Sequence, residues 1–157
     1  MVDQKPVGGV DAVVLYPADA VKHALFSQGG CEVEFWEDVQ GVAVNLIEDA
    51  SLYEEVAKSV NGIVGVTHNL TLVARYKDAG EWLATPFLDR LAQEGAIATV
   101  ALSDGRRIVV GYSQHFGEEQ PRMLESVTTS SGKALLDTPS VTLRLVSHDT
   151  ALAAEII

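Results

Sequence analysis

Ser147-His148-Asp149 sets the three residue types of a hydrolytic triad side by side. A working triad needs nucleophile, base and orienting carboxylate to converge from different elements, whereas neighbours on a strand point to opposite faces. The run is therefore read as coincidence, and no catalytic residue is assigned. His68 falls on the apolar side of a long alternating segment, where a hydrogen-bonded core histidine is a simpler reading than a general base. His115 lies in a stretch punctuated by Gly111, Gly117 and Pro121, beside Glu118 and Glu119. Loops on a rigid scaffold often carry function, so a small ligand-binding or enzymatic α+β domain with its site near His115 is kept as an alternative.

Other chemistry finds less support. His23, His68, His115 and His148 show no paired spacing, and the single cysteine, Cys31, cannot supply a structural zinc set. Glu48-Asp49, Glu54-Glu55 and Glu118-Glu119 lack the loop pattern of an EF-hand. Gly8-Gly9 precedes a strand-like run instead of following one, and no Gly-Lys-Ser/Thr signature exists, so no phosphate cradle is expected. Glu32 beside Cys31 disfavours the thiolate that a nucleophile would need. No metal and no cofactor are expected.

The positions above must be held by a folded chain. At 157 residues and 47% hydrophobic content, one domain with a genuine core is expected over residues 11–150. A flexible arm (residues 1–10) and a C-terminal tail (residues 151–157) flank it. No apolar run approaches the roughly 20 residues of a membrane-spanning helix. MVDQKPVGG has neither a basic nor an apolar leader region, so synthesis and retention in the cytoplasm are expected. The formal charge of −11, from 22 acidic against 11 basic residues, disfavours sequence-specific nucleic-acid binding, which needs clustered Lys and Arg on phosphate. Acidic surface serves solubility, or it repels DNA where DNA must slide past.

Periodicity predicts mostly strands. The best-signalled stretch is a hairpin over Gly95–Phe116, with Asp104-Gly105 at a two-residue turn and Arg106 and Arg107 at its tip. Ala12–Tyr16 reads as a buried strand stopped by Pro17, and Ala18–Phe26 as a short helix on the spacing of Val21, Ala24 and Leu25. Cys31–Trp36 alternates cleanly and is expected to form a hairpin with the strand from Val42 to Ile47. Asp49–Val60 fits a helical turn or an extended edge. Asn61-Gly62 then turns the chain into Ile63–Tyr76, the longest strand, with Val66, His68, Leu70, Leu72 and Ala74 on one face. One amphipathic helix is expected over about residues 81–93, with Pro86 near its start and Gly95 at its stop. Met123–Thr129 and Val141–Val146 complete roughly seven or eight strands. The fold class is α+β, a mostly antiparallel β-sandwich or barrel-like sheet with one flanking helix.

GVTHNLTLVARY, FLDRLAQEGAIA, DGRRIVVGYSQHFGEEQPRMLES and DTPSVTLRLVSHDTA, spanning about residues 60–150, together resemble short phage and prophage structural proteins of tail-tube type. The resemblance implies a β-sandwich with a flanking helix that assembles into rings, which stack into a tube in a virion and meet other tail proteins. It implies no enzymatic activity, and an acidic lumen would be the use of the negative balance. Sheet edges are ready templates for such contacts, and Arg106 and Arg107 are expected to meet a neighbouring subunit's carboxylates. A generic protein-interaction module is the remaining alternative. Membrane insertion is not expected.

Overall fold

A two-residue period can give one dry and one wetter face only in an extended chain, and it recurs along most of this one. The computed structural model describes residues 9–17, 19–27, 30–39, 41–47, 51–76, 85–112, 123–130, 139–149 and 153–156. In chain order its elements are β1 (Val10–Pro17), β2 (Val21–Ser27), β3 (Gly30–Phe35), β4 (Val42–Val44), β5 (Leu52–Val60) and β6 (Ile63–Arg75). Helix α1 (Thr85–Glu94) follows, then β7 (Ala96–Leu102), β8 (Arg107–Val110), β9 (Met123–Ser130), β10 (Ser140–Asp149) and β11 (Ala154–Glu155).

Two antiparallel sheets and a separate hairpin result. The first sheet runs β11-β8-β7-β1-β4, the second β5-β6-β10-β9, and β2 pairs with β3 alone. The two large sheets face one another across the main core. Val13, Leu15, Val44, Ala98, Val100 and Val110 from one side meet Leu70, Leu72, Ala74, Val141, Leu143 and Leu145 from the other. Each Val or Leu among them contributes about 1.5–3 kcal/mol by leaving water, so this layer dominates stability. The alternation expected for Val66 to Ala74 and for Val141 to Leu145 is observed, with those residues buried and their neighbours wetter. Among the described residues no barrel closes, and the architecture is a sandwich with a single short helix.

The first sheet is covered on both faces. Opposite the main core, Ile97 and Val109 join Cys31 in a second apolar cluster, with Ala24, Phe26 and Val33 of the β2–β3 hairpin packed on it. Tyr16 and Phe35 stack there with ring centroids 4.0 Å apart. This explains why Ala96–Val100 is buried at every position instead of alternating, as a strand covered on both sides should be. Two isolated bridges, Cys31 with Ile156 and Leu46 with Ala74, stitch the hairpin and the second sheet onto the first.

Helix α1 begins one residue before Pro86, where a missing N–H costs least, and ends as the Gly95 N–H donates to the Leu91 carbonyl. Leu91 is buried in the main core, while Arg90 and Glu94 pair at 3.6 Å on the wet side. The expected start at residue 81 lies outside the described residues.

Three local expectations need correction. Val21–Ser27 is a strand, not the expected helix over residues 18–26. A register shift between Val21 and His23 breaks the alternation and creates the helix-like spacing, while Ala24 and Phe26 point inward and Leu25 outward. Cys31–Trp36 does not pair with Val42–Ile47. β3 takes β2 as its hairpin partner, and β4 lies on β1 with Val13 opposite Val44. Both strands carry valid alternation, but alternation identifies a face and not a neighbour. Finally, the β7–β8 turn has three residues, Ser103, Asp104 and Gly105, not two. The Gly105 N–H reaches the Leu102 carbonyl at 3.0 Å and Gly105 takes φ +96°, the left-handed position of a three-residue hairpin loop. Asp49–Val60, left between helix and edge, contains edge strand β5, and Ala154–Ile156 of the expected tail is paired with β8 and β3. Residues 1–8 of the expected arm lie outside the described residues.

Candidate functional site

The β5–β6 hairpin is longer than the sheet that holds it. Among the described residues, pairing between β6 and β10 runs to Val66 with Asp149, while β5 and β6 continue as a two-stranded ribbon to Val60 and Ile63. Asn61 (φ +54°) and Gly62 (φ +81°) close it as a two-residue turn with both central residues left-handed, the geometry that Asn-Gly favours. From Ala57 to Gly65 every residue whose side chain is described is exposed. Ile63 is 71% exposed and Val64 49%. An apolar tip on an unsupported ribbon gains stability only when something covers it.

Sheet edges are the second feature. Among the described residues β5 pairs only with β6, and β2 only with β3, which makes each an edge strand of its sheet. Leu52 on β5 and Leu25 on β2, each 53% exposed, lie on those edge strands.

Arg106 and Arg107 are at the other hairpin's tip, as expected. The Arg106 guanidinium is already engaged at 2.8 Å by Asp104, whose carboxylate also accepts the Arg106 backbone N–H at 3.0 Å. That backbone hydrogen bond first, and the guanidinium second, hold the Asp104 carboxyl below its usual range. Arg107 begins β8, and its side chain is exposed.

Ser147, His148 and Asp149 are consecutive on β10, and the strand turns Ser147 inward and His148 outward. His148 Nδ1 lies 3.3 Å from the Thr67 hydroxyl on the outer face. The register creates a different triplet that sequence inspection missed: Glu55, His68 and Ser147 stand opposite one another across β5, β6 and β10. His68 and Ser147 are each 3% exposed, too enclosed to present a nucleophile to a substrate, and the Tyr53 hydroxyl donates to Glu55 at 2.8 Å. The Tyr53 ring is tilted against His68 with centroids 6.4 Å apart, so the row behaves as a buried polar seam in the core. Only the strand register could have revealed it, because the three positions are distant in sequence. His115, Glu118 and Glu119 lie outside the described residues.

Burial pushes the Cys31 thiol above its ordinary range, and the Glu32 charge adds to the rise. Among the described residues no group of three or more His, Cys, Asp or Glu could hold a metal ion. No helix among them is long and apolar enough to cross a membrane. A cleft of about 130 Å³ beneath α1 is lined mainly by Leu15, Val42, Leu91 and Ala96 and brings few polar groups together. A shallower groove of about 510 Å³ runs along the hairpin stem past Lys58, Ile63 and Thr67 to His148. The groove adjoins the exposed ribbon, which makes the stem and tip one continuous candidate contact surface. Comparison with known proteins finds no protein family, no curated protein and no solved structure that the chain matches.

Proposed function

We propose that this chain is a non-enzymatic structural subunit that works by binding copies of itself, in the manner of a phage or prophage tail-tube protein. The observation that carries it is the projecting β5–β6 ribbon with Ile63 and Val64 at its tip. In this reading the ribbon docks on the neighbouring ring, covering apolar surface that one copy leaves in water. Lateral contacts within a ring are assigned to the exposed Leu25 of β2 and Leu52 of β5. Glu32, Glu34, Glu37 and Asp38 are exposed along β3 and the turn after it. They are assigned to the lumen wall, where like charge keeps DNA from adhering. Arg107 is the hairpin-tip cation assigned to a neighbour's carboxylate, with Arg106 already engaged by Asp104.

Light scattering across a concentration series, followed by electron microscopy of the assembled fraction, tests this. Rings or short tubes are expected, and Ile63→Asp should abolish stacking while leaving the circular dichroism spectrum unchanged. A monomer at every concentration, even with preformed tail ends added as nuclei, would refute the assignment.

A further inference from the structure

We infer that Ile63 at the tip of the β5–β6 ribbon of one copy enters the apolar cleft beneath α1 of the next, with Lys58 closing on Glu94 at the cleft mouth. The inference rests on the self-association proposed above and names the surface that receives the ribbon.

The two surfaces match in size and polarity. In the β5–β6 register Ile63 stands opposite Val60 and Lys58 opposite Gly65. Ile63 and Lys58 are therefore diagonal neighbours on one face of the ribbon, about 7–8 Å apart, while Val64 lies on the other face. Gly65 adds no side chain behind Ile63, so the isoleucine protrudes, and it is 71% exposed. A protruding side chain loses its contact with water completely only in a concavity. The cleft beneath α1 is one of about 130 Å³, with Leu15, Leu91 and Ala96 buried along it and Val42 half-buried at its side. An apolar cavity of roughly 150 Å³ takes up benzene, so this cleft has room for the sec-butyl group of isoleucine.

Charge at the mouth agrees. Glu94 lines the cleft with a side chain 56% exposed, and its carboxylate lies 3.6 Å from the Arg90 guanidinium. A carboxylate accepts several donors, so the Arg90 contact leaves capacity for an incoming ammonium. Lys58 is the cation that arrives beside Ile63, and its long stem spans the diagonal between them. The ribbon tip and the cleft are different surfaces of the chain. Their contact is head-to-tail and repeats from copy to copy, as stacked rings require.

Filling the cleft tests this directly. Val42→Trp should abolish stacking in light scattering and electron microscopy, as Ile63→Asp does, with the circular dichroism spectrum unchanged. A second arm leaves the cleft intact: Lys58→Glu and Glu94→Lys should each weaken association about threefold, and Lys58→Glu/Glu94→Lys should restore it. Where Val42→Trp does not fold, the charge swap decides. A folded Val42→Trp that stacks like the wild type overturns the cleft as receptor and leaves self-association standing. Single charge variants that associate like the wild type, or a double variant that associates no better than the singles, have the same force. Wild type that stays monomeric throughout overturns both and leaves the cleft to an occupant other than this chain.

Discussion

The β7–β8 and β5–β6 hairpins are made by the same local rule and put to opposite uses. Both follow turn residues flanked by alternating apolar positions, and both are antiparallel ladders. In the first, Ile97 and Val100 are fully buried on opposite faces of β7, so the strand is clamped between two layers. In the second, the last residues of the ladder are exposed, the apolar Ile63 and Val64 among them, and no described element besides the hairpin itself pairs with them. Burial on both sides makes a hairpin a scaffold, whereas length beyond its sheet makes one a reach toward a partner.

The sharpest way to break that comparison is to truncate one isoleucine in each. Ile97→Ala should cost about 3 kcal/mol in denaturant unfolding, by lost burial and the cavity left between two layers. Ile63→Ala should change the unfolding free energy of the separated subunit by less than about 0.5 kcal/mol and show its effect in assembly alone. Equal losses of stability would mean that the ribbon is covered within its own chain. The turns give a smaller contrast. An added Cβ at Gly105 or at Gly62 has no neighbour within 4 Å, so any cost arises from the positive φ alone. Gly105→Ala should lower global stability by about 1–2 kcal/mol, because that turn is tied to the core. Gly62→Ala should appear chiefly as faster amide exchange near the ribbon tip, since the ribbon opens locally. The smallest effect concerns Asp104. Its carboxyl is depressed in the folded chain, so its contribution is present above the ordinary carboxylate range and fades as pH falls through the lowered value. An NMR titration should follow that loss in the wild type, and Asp104→Asn should remove it.

Much of this architecture was legible in residue order. The thirteen residues of β6, the alternation of Cys31–Phe35, the helix ending at Gly95 and the hairpin after it all follow from period and turn chemistry. Two of the failures lie in how strands meet their neighbours, and the third in the three-residue turn after β7. β2 mimicked a helix because a bulge displaced one residue, and β3 was assigned to the wrong neighbour because strands with equal alternation are interchangeable on paper. The candidate contact surface was legible only in part. Asn61-Gly62 announced the turn, but exposure of the ribbon depends on where β10 ends, some eighty residues later in the chain.

Residue order by itself determined which segments extend, which side of each is apolar, and where Asn61-Gly62 and Asp104-Gly105 reverse the chain. These are local properties, set by backbone sterics and by the period of side chains along a strand. Tertiary structure alone decided that β7 would be covered twice, that Glu55, His68 and Ser147 would align in one row, and that Ile63 would remain in water. Those outcomes depend on which edges pair and how far each ladder runs. Hydrogen-bonded edges are chemically alike along any strand, so the choice among them is made only when the layers pack.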